Sequence, residues 1–156
     1  MIKIKEIKNK KDKETICGDI LRALPEWFAV KQYILEYIDG SLSLPFYVAY
    51  YNGNLTGFVA LKKLDSKTAE IYVTGVYKEY HRLGIGRKLM HICTKFCENN
   101  KIETLSVKTL DNSANDPYYM KTYKFYEAMG FKPIKVLENY WDENNPCLLM
   151  EMDLKK

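Results

Sequence analysis

The stretch Glu70-Ile-Tyr-Val-Thr-Gly-Val-Tyr-Lys-Glu-Tyr-His-Arg-Leu-Gly-Ile-Gly-Arg-Lys-Leu-Met90 decides the fold of this chain. Residues 70–76 are rich in β-branched and aromatic types, which favour a strand. From Ile85 onward, apolar residues recur at intervals of three and four, which predicts a helix. Gly84 and Gly86 lie between the two patterns. The stretch is therefore expected to run as strand, glycine loop and helix.

The glycine loop has the chemistry of an anion-binding site. A helix begins with backbone N–H groups that lack an intrahelical acceptor, and the peptide dipoles leave about half a positive charge there. Glycines let the backbone approach a ligand closely, and Arg82, Arg87 and Lys88 add positive charge. The dinucleotide fingerprint is absent, because its third glycine position is Leu89, and no GxxxxGK[ST] string occurs. The loop therefore predicts a phosphate or pyrophosphate site, with purely conformational glycines as the alternative.

The rest of the chain predicts a single α/β domain over residues 1–156. Strands are predicted over about 2–7, 46–51, 55–64, 67–77, 102–110, 131–140 and 147–154, and helices over about 11–23, 27–40, 85–99 and 118–129. Asn52-Gly53-Asn54 predicts a hairpin between the second and third strands. The helix between the fourth and fifth strands implies that these two strands are parallel.

Composition restricts the class of protein. The four cysteines form no CxxC pair and have no metal-type spacing to the two histidines, so reduced thiols and no metal are expected. The formal charge of +4 comes from lysines spread along the chain and not from a basic patch, so nucleic-acid binding is kept only as a minor alternative. Neither a signal peptide nor a run of roughly 20 apolar residues occurs, which predicts a cytoplasmic protein without a membrane anchor.

Two segments resemble the signatures of a known family. Tyr80-His-Arg-Leu-Gly-Ile-Gly-Arg-Lys-Leu89 and Lys124-Phe-Tyr-Glu-Ala-Met-Gly-Phe131 are similar to the two motifs of the GNAT superfamily of acetyl-CoA-dependent N-acetyltransferases. The resemblance implies a mixed, mostly antiparallel sheet of about seven strands flanked by helices, in the order β-α-α-β-β-β-α-β-α-β-β. It also implies acetyl-CoA as co-substrate and direct transfer of the acetyl group, in a ternary complex, to a primary amine of a small molecule or peptide.

The resemblance also implies which residues hold the coenzyme. The expected loop residues are Arg82, Leu83, Gly84, Ile85, Gly86, Arg87 and Lys88, whose amides from Leu83 onward would hold the pyrophosphate. The pantetheine arm would lie along Thr74, Gly75 and Val76, between two diverging parallel strands, and Gly75 predicts a bulge there. His81 is a departure, because the family has Gln or Arg at this position.

Two residues match catalytic positions of the family. Glu70 has the spacing from the loop of the general base in the histone-acetylating branch, and a solvated or salt-bridged carboxylate is the alternative. Tyr126 matches the general acid that protonates the leaving thiolate, and an aromatic core residue is the alternative. Tyr119 stands where family members often have a coenzyme-contacting asparagine, and it is left out of the predicted site.

Two groups of residues are candidates for the surroundings of the acceptor. Aromatic residues in the region that borders the family's acceptor cleft either line that cleft or fill the core: Trp27, Phe28, Tyr33 and Tyr37. Loop acids either attract a cationic amine or are solvated turn residues: Asp116, Asp142 and Glu143. A protein of another class, a domain that binds acyl-CoA without efficient catalysis, also fits the motifs, and a homodimer is left open.

Overall fold

The computed structural model describes residues 1–155. The strands are β1 (Ile2–Glu6), β2 (Phe46–Tyr51), β3 (Asn54–Lys63), β4 (Thr68–Val76), β5 (Thr104–Leu110), β6 (Lys132–Asp142) and β7 (Asn145–Asp153). The helices are α1 (Lys10–Arg22), α2 (Lys31–Ser41), α3 (Ile85–Asn99) and α4 (Pro117–Met129), with short 3-10 helices over Lys78–Tyr80 and Asn112–Ala114. This order confirms the predicted succession of strands and helices.

The strands form one seven-stranded sheet in the order β1-β2-β3-β4-β5-β7-β6. Antiparallel pairing joins β1 to β2, β2 to β3, β5 to β7 and β6 to β7. Neighbouring strands β4 and β5 are connected through α3, the kind of connection that a parallel pair requires. The predicted mixed, mostly antiparallel sheet is confirmed.

The chain divides into two compact units. The first contains residues 1–62 and 71–96, and the second contains residues 63–70 and the chain from Cys97 onward. A single functional domain over residues 1–156 stays a prediction.

Helices α1 and α2 cover one part of the sheet in the first unit. Cys17, Ile20 and Leu21 of α1 are fully buried and join a cluster that includes Phe46 and Phe58, whose rings stack at 5.1 Å. Burial of apolar surface of this kind contributes about 25 cal/mol per Å². The periodicity of apolar residues on α1 therefore marks the face that the helix buries.

The second helix begins later than the sequence pattern predicts. Trp27 lies in an isolated helical turn, in which its N–H donates to the Leu24 carbonyl at 3.0 Å. Val30 then has an extended backbone, with φ −95° and ψ 111°, so α2 starts at Lys31. The prediction that the helix includes Trp27 was wrong. The apolar residues keep their helical spacing from Trp27 onward, but the extended backbone at Val30 prevents one continuous helix.

The second unit ends in a β-hairpin that is tighter than expected. The predicted strands stopped at 140 and resumed at 147, whereas β6 runs to Asp142 and β7 starts at Asn145. The Asp142 carboxylate accepts hydrogen bonds from Asn144 N at 2.8 Å and from Asn145 Nδ2 at 3.0 Å. These bonds close a short turn and let both strands extend into the region predicted as a loop.

Candidate active site

The end of β4 is fixed to β3 by side-chain and backbone bonds. Thr74 Oγ1 donates to the Phe58 carbonyl at 2.8 Å, and Tyr77 N donates to the Thr56 carbonyl at 2.8 Å. Thr74 and Val76 are partly buried. The segment predicted to run beside the pantetheine arm is therefore held in place along the edge that faces β3.

Two glycines allow close packing around this segment. A Cβ atom added at Gly75 would lie 3.1 Å from Ile20 of α1 and 3.1 Å from Leu24, two residues beyond the end of that helix. A Cβ added at Gly57 on β3 would lie 2.9 Å from the Gly75 carbonyl oxygen, a distance that real Cβ atoms essentially never show. The packing of α1 accounts for Gly75, while the bulge predicted there stays a prediction. The sequence pattern gave no signal for Gly57.

His81 ties the start of the loop to the end of β4. Its Nε2 lies 2.7 Å from the Val76 carbonyl oxygen. A carbonyl only accepts hydrogen bonds, so Nε2 carries the proton in this contact. The Trp27 ring lies edge-on to the His81 ring at 5.8 Å. An imidazole therefore fixes the first loop residue at the position where the family has Gln or Arg.

An ion pair lies close to His81. Lys78 Nζ is 2.8 Å from Glu26 Oε2. The hydrogen bond from Lys78 lowers the pKa of the Glu26 carboxyl, and the nearby His81 acts in the same direction. The turn around Trp27 is thereby joined to the 3-10 helix that precedes the loop.

The glycine loop has an unusual backbone. Arg82 and Gly84 both have left-handed φ values, 67° and 85°, on either side of Leu83. A Cβ added at Gly84 would meet nothing within 4 Å, so the space above its Cα is open. Left-handed residues in a short loop can turn successive N–H groups toward one side and form an anion-binding concavity. The loop geometry thus fits a pyrophosphate group.

The loop leads directly into α3. Lys88 N donates the first hydrogen bond of helical spacing, to the Gly84 carbonyl at 3.1 Å. The amides of Ile85, Gly86 and Arg87 therefore have no acceptor within the helix. The Ile85 side chain is buried, whereas the side chains of Arg87 and Lys88 are exposed. The core therefore anchors the helix while its free amides and basic side chains remain available to an anion.

Glu70 lies in the second unit and is buried, with 7% of its surface exposed. It forms a hydrogen-bonded ion pair with Lys108 of β5. Burial alone would lower the pKa of the Lys108 ammonium, but the hydrogen bond and the charge of Glu70 outweigh it and raise that pKa above its ordinary value. Of the readings left open for Glu70, the structure excludes a solvated carboxylate and shows a salt bridge.

Lys108 has a second partner that the sequence did not reveal. Its Nζ lies 4.9 Å from the centre of the Tyr140 ring, a cation–π geometry. Tyr140 is 53% exposed and lies where the register of β6 against β7 shifts between Leu137 and Asp142. A lysine inside a largely buried strand was the available signal, but its carboxylate partner is 38 residues away in the chain.

Tyr126 is buried on α4, with 5% of its surface exposed. Its ring meets Phe125 at 5.6 Å and Phe131 at 5.5 Å, both in edge-on arrangements. Gly130 ends the helix with φ 109°, and Phe131 N donates to the Tyr126 carbonyl at 3.0 Å. Burial raises the pKa of the neighbouring Tyr119, and the proximity of Tyr126 and Asp116 adds to this effect. The residues of the second motif thus pack the Tyr126 ring between other aromatic rings.

The residues considered for the acceptor have structural contacts. Phe28 and Tyr37 meet edge-on at 6.1 Å, and both pack against the core of the first unit. Asp116 accepts hydrogen bonds from the first amides of α4, and Asp142 closes the β6–β7 turn. These contacts support structural roles for these side chains, and none of them identifies an acceptor.

The described part of the chain offers neither a metal-binding cluster nor a membrane-spanning helix. Among residues 1–155, no three side chains of His, Cys, Asp or Glu lie close enough together to hold a metal ion. No helix in the described part of the chain is both long and apolar enough to cross a membrane. All four cysteines are buried and free.

Comparisons with known proteins agree with this geometry. A sequence profile of the acetyltransferase (GNAT) family matches residues 14–131. An N-alpha-acetyltransferase of Sulfurisphaera tokodaii is 26% identical over 149 residues, which cover 85% of this chain and 81% of that protein.

Two solved structures share the fold. A GNAT family acetyltransferase from Elizabethkingia anophelis with acetyl-CoA bound has a TM-score of 0.75 and 22% identity, with 98% of each chain covered. An aminoglycoside 6'-N-acetyltransferase complexed with coenzyme A has a TM-score of 0.75 and 20% identity, covering 99% of this chain and 98% of that one. The profile match spans well over half of the sequence. This chain therefore belongs to the GNAT acetyltransferase family.

Proposed function

We propose that this protein transfers the acetyl group of acetyl-CoA to a primary amine of a small molecule or a peptide. The observation that carries the proposal is the start of α3, where left-handed Arg82 and Gly84 precede free helix amides in open space. The family of the chain and the coenzyme named for its structural relatives agree with this ligand.

In the proposed complex, the loop binds the pyrophosphate of the coenzyme. The amides from Leu83 to Arg87 donate to its oxygens, and Arg82 and Arg87 supply full charges. The Lys88 amide, which was expected to take part, donates to the Gly84 carbonyl instead. The backbone of Thr74, with the two residues that follow it, pairs with the pantetheine arm and directs an N–H toward the thioester oxygen. That N–H would stabilise the negative charge that develops on the oxygen during attack.

Glu70 would direct the proton of the acceptor into solvent through a water molecule. An alkyl ammonium has a reference pKa of about 10.4 and a carboxyl group of about 4.3, so direct transfer to a carboxylate is unfavourable. Lys108 is bonded to one oxygen of the Glu70 carboxylate, and the carboxylate can orient a water and accept hydrogen bonds from the amine. The nitrogen then attacks the thioester carbonyl, and its proton passes through water to solvent.

Tyr126 would supply the proton for the leaving group. When the tetrahedral intermediate collapses, the carbon–sulfur bond breaks and the thiolate takes the phenolic proton. Reference pKa values of about 8.5 for a thiol and 10 for a phenol make this step only mildly uphill. Solvent then reprotonates Tyr126, so coenzyme A and the acetylated amine are the products.

A panel of amines tests this proposal. The panel contains a lysine-free peptide with an open amino terminus, an N-terminally blocked peptide with one lysine, and an aminoglycoside. Transfer is followed by release of free thiol and by the mass of the acetylated amine. Initial-rate plots that intersect support a ternary complex, whereas parallel lines would indicate an acetylated enzyme and contradict direct attack.

The Glu70→Gln variant separates the proposed roles further. The variant should lower kcat/KM and flatten its dependence on pH, because no carboxylate remains to orient the water. An unchanged rate and pH profile would show that Glu70 is a structural partner of Lys108. Binding of acetyl-CoA with no turnover of any amine would support the alternative, a coenzyme-binding domain without efficient catalysis.

A further inference from the structure

Lys108 is surrounded by groups from three other strands. Glu70 of β4 accepts its hydrogen bond, the Tyr140 ring of β6 lies 4.9 Å from Nζ, and Cys147 of β7 is close enough to interact electrostatically. The exposed fractions of the two charged side chains are small, 18% for Lys108 and 9% for Glu70. Burial raises the pKa of the Cys147 thiol to about 11, so this thiol is neutral at physiological pH. The cluster therefore holds one ammonium and one carboxylate.

A carboxylate without Lys108 would work against acetyl transfer. Acceptor amines arrive mainly as ammonium ions, and only the neutral amine has the lone pair that attacks the thioester. A nearby carboxylate favours the charged form of an amine, so Glu70 alone would stabilise the unreactive ammonium. A second positive charge beside the same carboxylate offsets much of this attraction, because like charges disfavour each other's ionised forms, and a site with little water then favours the neutral amine, because burial disfavours the charged form.

The geometry of the pair provides that second charge. Lys108 is bonded to one oxygen of the Glu70 carboxylate. An amine bonded to the other oxygen would lie about 5 Å from Lys108 Nζ, since each nitrogen lies about 3 Å from its own oxygen. At this separation, and with little water between them, the two ammonium groups repel each other strongly.

We propose that Lys108 is a positioning residue for acetyl transfer, whose ammonium, paired with Glu70, keeps the bound acceptor amine in its neutral, nucleophilic form. The proposal rests on the proposed function, because it places the acceptor amine next to Glu70. The Tyr140 ring, whose centre lies 4.9 Å from Nζ, adds a cation–π contact that stabilises the Lys108 ammonium at this position.

The first experiment uses the unmodified protein and three acceptors whose amines have different pKa values in solution. The dependence of kcat on pH reports ionisations in the complex of enzyme and substrate. On the acidic side of this profile, where kcat rises with pH, the apparent pKa should change with the acceptor used. It should lie about one to two pH units below the pKa of each free amine. A limb that coincides with the free amine's pKa, or that does not move with the acceptor, would overturn the proposal.

The second experiment compares variants of Lys108. The Lys108→Gln variant keeps a hydrogen-bond donor without the charge, so the lower limb of kcat should move up by about one pH unit or more. Lys108→Arg keeps the charge and should restore the limb of the unmodified protein. The matched control is Lys67→Gln, which removes a lysine from an exposed ion pair with Glu103, 3.9 Å away, and should leave the profile unchanged.

The outcomes separate this proposal from the proposed function. If the Lys108→Gln and Lys108→Arg variants both transfer acetyl groups and their pH profiles are shifted equally, Lys108 acts through packing. This result would overturn its electrostatic role. If Lys108→Gln does not fold, the position of the acidic limb of the kcat profile in the unmodified protein still tests the proposal. If no amine is acetylated by protein that binds acetyl-CoA, the proposed function fails, and the role of Lys108 fails with it.

Discussion

The Nε2 atom of His81 lies 2.7 Å from the carbonyl oxygen of Val76 and links the start of the glycine loop to the end of β4. The loop and the strand end are the two segments proposed to contact the coenzyme. The His81 side chain therefore contributes to holding the loop beside the end of the strand within the first unit. This contact accounts for a histidine at a position where the family has Gln or Arg, because each of these side chains carries an N–H donor.

Removal of the His81 contact should weaken coenzyme binding. His81→Ala loses a hydrogen bond worth about 0.5–1.5 kcal/mol net, so the Kd for acetyl-CoA should rise roughly two- to tenfold. His81→Gln retains a donor and should stay within about twofold of the unmodified protein. Calorimetric titration with acetyl-CoA measures both values. His91→Ala, at an exposed position of α3, is the control, and an equal effect there would refute the specific role of His81.

Gly84 and Gly53 offer a matched test of the loop. Both have φ 85°, and a Cβ added at either would meet nothing within 4 Å. Replacement by Ala should therefore cost each variant about 1–2 kcal/mol of stability through backbone strain. Only Gly84→Ala should also lose acetyl-CoA affinity, because Gly53 lies in the β2–β3 hairpin. Equal loss of affinity in both variants would place the pyrophosphate elsewhere.

Tyr126→Phe tests the proposed acid. The variant keeps the aromatic packing but has no phenolic proton, so kcat should fall on the order of 100-fold while the Kd for acetyl-CoA is unchanged. Stopped-flow measurement of thiol release gives kcat, and calorimetry gives Kd. Tyr118→Phe, on the exposed side of α4, serves as the control. Retention of full kcat in Tyr126→Phe would leave Tyr126 as a core residue only.

Lys13 should contribute to stability although it is a charged residue on a surface helix. Only 6% of it is exposed, and its Nζ donates to the carbonyls of Leu42 and Leu44 at 3.2 and 2.8 Å. Lys13→Ala leaves both carbonyls without this donor and should lower the unfolding free energy by about 1–3 kcal/mol in urea titrations. Lys11→Ala, which breaks an exposed pair with Glu14, should cost well under 1 kcal/mol. Similar losses in both variants would contradict this account of Lys13.

The parts of the fold that local patterns specify were predictable. Gly130 adopts the left-handed conformation that ends α4, and the turn at Gly53 joins β2 to β3, because glycine tolerates positive φ values there. Buried Ile85 and Leu89 on α3 follow the helical period of their apolar neighbours. Each of these features depends on residues that are close together in the sequence.

The parts that depend on distant residues were not predictable. The family resemblance implied a base at Glu70, but its pairing with Lys108 joins two strands that are separated by α3. Gly57 is explained by the approach of Gly75, and no pattern in one strand shows what its neighbour requires. The start of α2 was also missed, because the extended backbone at Val30 interrupts an apolar period that continues through it.

The central claim is that this chain moves an acetyl group from acetyl-CoA to an amine. Its most direct test is a single-turnover experiment, in which excess protein loaded with acetyl-CoA is mixed with a lysine-free peptide or an aminoglycoside. The account predicts one acetylated amine and one free coenzyme A for each acetyl-CoA consumed, with a rate that falls in Tyr126→Phe. Tight binding of acetyl-CoA without an acetylated product from either amine would contradict it.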